Sequence, residues 1–237
     1  IPGNQDHNWK ILDDGQLFVA RFDEGFAGRW IELDQRHSKL VGEFDDQAEV
    51  LIFARRAADL VGASSCDRPE WITVDQDPST KKVRHAYASL TNNNKRGIPD
   101  LEGPNPANPR VNNVYGHILR WRDADGDPTA TTFRWDIFVT CGYRMHPVAA
   151  QRGNIVDAKG AGEQDYGSPD GLWMDPRGIL WVESDVSNSV MDDADYVKFG
   201  NNPLLAVDKS TGETRRFMVG PKGCEITGIA MTPDYKT

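Results

Sequence analysis

One pattern recurs along the chain and limits its architecture more than any other: a carboxylate, then a short apolar strand, then a turn built on Pro or Asp. Arg68-Pro-Glu70 leads into Trp71-Ile-Thr-Val-Asp75, and Ser168-Pro-Asp170 into Gly171-Leu-Trp-Met-Asp175. Cys224-Glu225 leads in the same way into Ile226-Thr-Gly-Ile-Ala-Met-Thr-Pro-Asp234. The acids stand 100 and then 55 residues apart, which fits a repeat of about 50 residues with insertions, as in propeller-type arrays. In a propeller each blade begins with its innermost strand, so acids at those strand mouths crowd toward the central channel. Three carboxylates there repel one another unless a cation lies between them, and a hard cation with oxygen ligands is the simplest occupant.

The stretch from Tyr166 to Asp185 shows the unit most fully. Leu172-Trp-Met is one strand, Asp175-Pro-Arg-Gly178 the turn, and Ile179-Leu-Trp-Val182 the returning strand, closed by Glu183 and Asp185. Pro presets φ at the second turn position and Gly relieves the backbone after it. Further strands are expected at Trp71–Val74, Arg84–Leu90, Gly116–Trp121, Thr131–Val139, Leu204–Val207 and Glu213–Val219. Residues 11–33 read as a hairpin, taken as the outer half of an earlier blade. Residues 45–61 read as one helix inserted between blades, with Asp45 as N-cap, an apolar face through Val50, Phe53, Ala57 and Val61, and Gly62 as its stop. The expected fold is therefore all-β: a partial β-propeller of about two complete blades and two partial ones with one inserted helix, all within a single domain over residues 1–237. Such a set cannot close a ring, so the chain is expected to be an internal piece of a longer protein. The segment from Thr91-Asn-Asn-Asn-Lys-Arg-Gly97 to Asn113 is longer than a packed connection normally is, which favours a functional or mobile loop.

A net charge of -9 opposes binding to nucleic acid or to an anionic membrane surface, and no apolar run is long enough to span a bilayer. Three cysteines, Cys66, Cys141 and Cys224, lie far apart and form neither a zinc knuckle nor a disulfide framework. Asp123-Ala-Asp-Gly-Asp127 has the look of a calcium loop, but Arg134 stands where a bidentate Glu belongs, so a plain strand-to-strand turn is the better reading. His85, His117 and His146 show no zinc spacing, and no Gly-x-Ser-x-Gly elbow suggests a serine hydrolase.

Several segments, taken in order, resemble the PhoX family of secreted bacterial alkaline phosphatases. They are Cys66-Asp-Arg-Pro-Glu-Trp-Ile-Thr-Val, Leu90-Thr-Asn-Asn, Asn112-Asn-Val-Tyr-Gly-His-Ile-Leu-Arg-Trp121, Phe133-Arg-Trp-Asp-Ile-Phe-Val, Gly167-Ser-Pro-Asp-Gly-Leu-Trp-Met-Asp-Pro-Arg-Gly and Gly223-Cys-Glu-Ile-Thr-Gly-Ile. The resemblance implies a β-propeller with a calcium and iron cluster (Ca2+, Fe3+) at one end of the channel. It also implies hydrolysis of phosphate esters, and export in the folded state through the twin-arginine route to the periplasm or beyond. By the same resemblance Glu70, Asp170 and Glu225 become candidate cluster ligands and catalytic residues, with Asp185 as a fourth metal ligand. The family's Cys-Glu-Asp segment, which supplies a thiolate to iron, does not occur in this sequence.

Phosphoester hydrolysis needs cations on the phosphoryl oxygens, an activated oxygen nucleophile and relief for the leaving group. The acids supply sites for the cations. Asn92, Asn93 and Arg96 in the long loop are expected to hydrogen-bond the phosphate, Arg being suited to a two-point grip. The expected activity is metal-dependent cleavage of small phosphate monoesters, and of diesters by extension, at alkaline pH by a monomeric protein. A calcium-dependent propeller lactonase or esterase, with Asn92 to Asn94 in a calcium cage, is the competing enzyme. A propeller scaffold with structural calcium is the non-enzymatic alternative. For each acid taken singly, an ordinary turn carboxylate that caps a backbone N–H remains the plain reading.

Overall fold

The computed structural model describes residues 5–10, 13, 15–160, 162–232 and 234. A five-residue helix, α1 (Gln5–Trp9), precedes two antiparallel sheets. The first sheet contains β1 (Phe18–Phe22), β2 (Ala27–Glu32), β3 (Pro69–Gln76), β4 (Val83–Leu90), β5 (His117–Asp123) and β6 (Thr132–Thr140) in the spatial order β1-β2-β6-β5-β4-β3. The second contains β7 (Pro169–Met174), β8 (Ile179–Ser184), β9 (Pro203–Asp208) and β10 (Thr214–Val219) in the order β10-β9-β8-β7. Within the first sheet β3–β6 form a four-strand meander, the second sheet is another, β7–β10, and their first strands, β3 and β7, pack side by side. That is the blade arrangement of a β-propeller.

The local chemistry follows the sequence closely at the turns. Asp175 Oδ1 accepts the N–H groups of Arg177 at 2.8 Å and Ile179 at 2.9 Å, and Gly178 adopts φ 91°, so the Asp-Pro-Arg-Gly turn closes β7 onto β8. The Asp123–Asp127 segment is likewise a turn between β5 and β6, and Asp123 Oδ1 accepts the Trp30 indole N–H at 2.8 Å.

Two expectations are corrected. The hairpin β1–β2 does not begin a separate blade: Ala27, Gly28 and Arg29 of β2 pair with Arg134, Phe133 and Thr132 of β6, so it widens the first blade outward. Gly28 permits that approach, because a Cβ there would lie 2.1 Å from the Phe133 ring. At the other end, residues 224–232 form no strand among the described residues. The helical region also divides, into α2 (Gln47–Ile52) and α3 (Ala54–Val61), with Phe53 out of helical geometry between them. Its cap is Asp46, whose Oδ1 accepts Glu49 N–H at 2.8 Å, and Gly62 ends it at φ 85°. Both helices lie between β2 and β3, and Val50, Ala57 and Val61 pack with Leu33, Leu40 and Phe44 beside the outer hairpin.

The main core is the seam between the blades. Tyr87, Ile118 and Val139 of the first blade pack with Leu172, Leu180, Val182, Leu205 and Val207 of the second. This burial fixes β3 and β7 relative to each other, and therefore the two strand mouths that carry Glu70 and Asp170.

Candidate metal centre

Both inner strands begin with the same device. Pro69 pairs with Leu90 and Ile72 with Ala88, so Glu70 and Trp71 together face Ser89 alone. Pro169 pairs with Ser184 and Leu172 with Val182, so Asp170 and Gly171 together face Glu183. Each acid thus lies in a β-bulge, which bends the strand and re-aims the side chain. The residue before each proline, Arg68 or Ser168, is left-handed, at φ 51° and 53°. Neither is glycine, so hydrogen bonds must hold the conformation. Arg68 N–H donates to the Cys66 carbonyl at 2.9 Å and Thr91 N–H to the Arg68 carbonyl at 3.1 Å. Ser168 N–H donates to the Tyr115 carbonyl at 2.8 Å and Asp185 N–H to the Ser168 carbonyl at 2.9 Å.

Side chains at the end of β4 and just beyond it then tie one bulge to the other. Ser89 Oγ accepts Trp71 N–H at 3.0 Å and donates to the Asp170 carbonyl at 2.6 Å. Thr91 Oγ1 donates to the Pro169 carbonyl at 3.0 Å. The segment that carries Glu225 is moored to the second blade in a similar way. Asn201 donates to the Cys224 carbonyl at 3.0 Å, Asn188 to the Gly223 carbonyl at 2.9 Å, and Gly228 N–H to Glu183 Oε2 at 3.0 Å.

The result is a knot of acids from three stretches of chain. Asp170, Asp185 and Glu225 each offer an oxygen within 4.8 Å of the others. Burial, and then the charges of Glu70, Asp185, Glu225 and Glu183, push the Asp170 carboxyl up to about 6. Burial followed by the Asp185 charge raises Glu225 as well. Glu70 thus stands beside Asp170 electrostatically but outside the close trio, and its nearest cation is Arg68 Nη2 at 3.7 Å. Glu183 is buried and turned to the backbone of Gly228, and a Cβ on Gly171 would fall 1.9 Å from its oxygen. The donor set is all carboxylate oxygen, with no thiol among the trio. Cys224, though adjacent to Glu225, has its sulfur 3.8 Å from the Asn201 amide nitrogen. Hard oxygen donors at this density match a hard cation such as calcium.

The loop residues separate. Arg96 is fully buried: its Nε donates to Asp67 Oδ1 at 2.5 Å and its Nη1 to the Gly103 carbonyl at 2.6 Å. Asn93 donates to the same Asp67 oxygen at 3.0 Å. Neither reaches the acids, because the buried Asp67 carboxylate takes both. The long loop is accordingly an ordered polar network, in contrast to the mobile or functional segment its length suggests. Asn92 differs: it lines a cleft of about 330 Å³ together with Arg68, Ser168, Asp185 and Tyr196. Arg68, in the very Arg-Pro-Glu repeat that marks the acid, escaped notice as a ligand; its clue is the cationic residue beside a repeated carboxylate. A cleft of about 600 Å³ opens near Phe26, Pro106 and Trp135, but it holds no cluster of converging acids.

Two adjoining blades whose inner strand mouths gather carboxylates, with the half-exposed Arg68 beside them, define a β-propeller protein with an acidic site at those mouths. Comparison with known proteins agrees with that class: the family description "Alkaline phosphatase PhoX" matches residues 1–237. The chain belongs to the PhoX alkaline phosphatase family. It is similar to the structure of Pseudomonas fluorescens PhoX in complex with vanadate, a transition state analogue, with 44% identity and a TM-score of 0.84. The match covers 98% of this chain and 40% of that one, so the chain spans about two fifths of the relative's length. A comparison with curated proteins finds no match. No helix among the described residues is long and apolar enough to cross a membrane.

Proposed function

We propose that this chain carries part of the active site of a metal-dependent phosphatase that hydrolyses small phosphate monoesters, and diesters by extension, at alkaline pH. The observation that carries the reading is the convergence of Asp170, Asp185 and Glu225, with Glu70 beside Asp170 and the Arg68 guanidinium 3.7 Å from Glu70. Family membership and the relative's vanadate complex support it. Asp170, Asp185, Glu225 and Glu70 would hold the metals, calcium first by the hardness of the donors and Fe3+ by family resemblance. Bound there, the metals would offset charge on the phosphoryl group and activate the attacking oxygen.

The chain's own residues do the rest. Burial and the neighbouring charges hold the Asp170 carboxyl up at about 6, so it gives up its proton to become a cation ligand as pH rises through that value, in keeping with an alkaline optimum. Arg68, half exposed with its Nη2 near Glu70, takes the role expected of Arg96 and grips the phosphoryl oxygens. The bulges and the Ser89 and Thr91 hydroxyls keep the acids at fixed separation while the substrate turns over. Two members of the Asn92–Asn94 cage expected of a calcium lactonase are otherwise engaged, Asn93 with Asp67 and Asn92 with Arg68 and Ser168, which favours the phosphatase reading. Periplasmic or secreted location, monomeric state and a single domain with helices inserted are proposed on family resemblance.

The test is turnover of p-nitrophenyl phosphate by the full-length protein with and without a calcium chelator. Loss of rate on chelation, recovery on calcium addition, and a large loss in Glu70→Gln support the reading. An unchanged rate in chelator, or turnover of a lactone without competition by phosphate, overturns it.

A further inference from the structure

Asn92 is the one loop residue of the expected trio that reaches the cleft, yet both ends of its amide are already taken. Arg68 Nη1 donates to Asn92 Oδ1 at 3.1 Å, and Asn92 Nδ2 donates to Ser168 Oγ at 3.2 Å. Ser168 Oγ lies 3.3 Å from the Tyr196 hydroxyl, and Tyr196 in turn donates to the Val114 carbonyl. Chemistry at the two ends fixes every direction between them. A guanidinium can only donate, so Asn92 must present its oxygen to Arg68 and its nitrogen to Ser168. A carbonyl can only accept, so Tyr196 spends its proton on Val114 and must accept the proton of Ser168. The row runs from Asn92 N–H through Ser168 O–H and Tyr196 O–H to the Val114 carbonyl.

This row joins the two left-handed residues, Arg68 of the first blade and Ser168 of the second. Both backbones are clamped, as described above. The Arg68 side chain is 58% exposed, and among the described residues its one ion-pair partner is Glu70, at 3.7 Å. Without Asn92 it would be a loose arginine, and a loose arginine gives up its rotamer freedom each time it grips a ligand.

We propose that Asn92, backed by Ser168 and Tyr196, is a positioning residue that holds the Arg68 guanidinium at the cleft for the phosphoryl oxygens of a phosphomonoester. The idea rests on the phosphatase reading, which supplies the ligand of Arg68. It assigns Asn92 a task different from direct phosphate contact: its oxygen is turned to Arg68 and its nitrogen to Ser168.

A double-mutant cycle on the full-length, metal-loaded protein tests it, with Arg68→Ala, Asn92→Ala and the pair. Asn92→Ala is expected to lower kcat/KM for p-nitrophenyl phosphate about tenfold, mainly through KM, and Arg68→Ala about a hundredfold. The pair should be no worse than Arg68→Ala alone, because Asn92 acts through Arg68. Metal content and melting temperature should stay at wild-type values in Asn92→Ala, which a purely structural role would not allow. If that variant is unstable, Asn92→Ser replaces it, being polar but too short to span Arg68 and Ser168. Affinity for inorganic phosphate, measured by calorimetry on the same proteins, should show the same non-additivity. Additive losses would make Asn92 an independent ligand, and equal losses of metal and stability would make it a scaffold; either overturns the proposal while leaving the phosphatase intact. A protein without turnover whose phosphate affinity still shows the coupling keeps the positioning role and sinks the phosphatase reading; absence of both turnover and phosphate affinity sinks both.

Discussion

Arg96 and Asp67 show how a single buried pair can mimic a functional residue. In the sequence, Arg96 follows three asparagines in a long polar loop, the setting of many anion sites; in the fold it is the filling of that loop. Replacing one member of a buried ion pair strands the other, so Arg96→Ala should cost about 3–5 kcal/mol of stability, read by denaturant melts. A loss confined to KM at unchanged stability would restore it to the cleft. His117 belongs to the same network: its Nε2–H donates to the Ala107 carbonyl at 2.7 Å and its Nδ1 accepts from Asn113 at 3.2 Å. Burial holds the ring down to about 4 from 6.5, so the unfolded chain binds a proton that the folded chain refuses. The stability present above pH 6.5 is therefore lost as pH falls toward 4, by about 3 kcal/mol, and His117→Gln should flatten that slope in melts at graded pH. A wild-type slope no steeper than the variant's would contradict it. That Glu70, Asp170 and Glu225 come near one another was readable from a carboxylate recurring just before three apolar segments. Arg68 was not, because only the first copy is cationic and an arginine beside a glutamate reads as a surface pair.

The strands and their turns were readable almost throughout, since Asp, Pro and Gly at turns act through local geometry alone. The bulges were not, because they depend on which residue of the neighbouring strand pairs with which. Nor was the true place of the hairpin β1–β2, which is set by pairing with β6 across about a hundred residues of chain. The break at Phe53 escaped a reading based on period, because the apolar face continues through it. The hydroxyl of Ser89 is where one element controls another. It serves a donor and an acceptor on two different bulges, Trp71 N–H and the Asp170 carbonyl. Ser89→Ala leaves both without a partner and should cost about 2 kcal/mol, with weaker calcium binding in calorimetric titration. Undiminished calcium affinity would mean the bulges hold without it.

Taken together, the two blades are fastened at both ends of their seam. At one end Lys209 Nζ reaches across to both oxygens of the buried Asp75, at 2.7 and 2.8 Å. At the other, Ser89, Thr91 and Asn92 of the first blade hold Ser168, Pro169 and Asp170 of the second. The acids are thus kept close despite their mutual repulsion, which burial strengthens, and a cation is the natural complement. Anomalous scattering from crystals of the full-length protein would locate it. The account predicts metal within about 2.3–2.6 Å of carboxylate oxygens of Asp170, Asp185 and Glu225. Active crystals with no metal against these three side chains, or with metal bound only elsewhere, would contradict it.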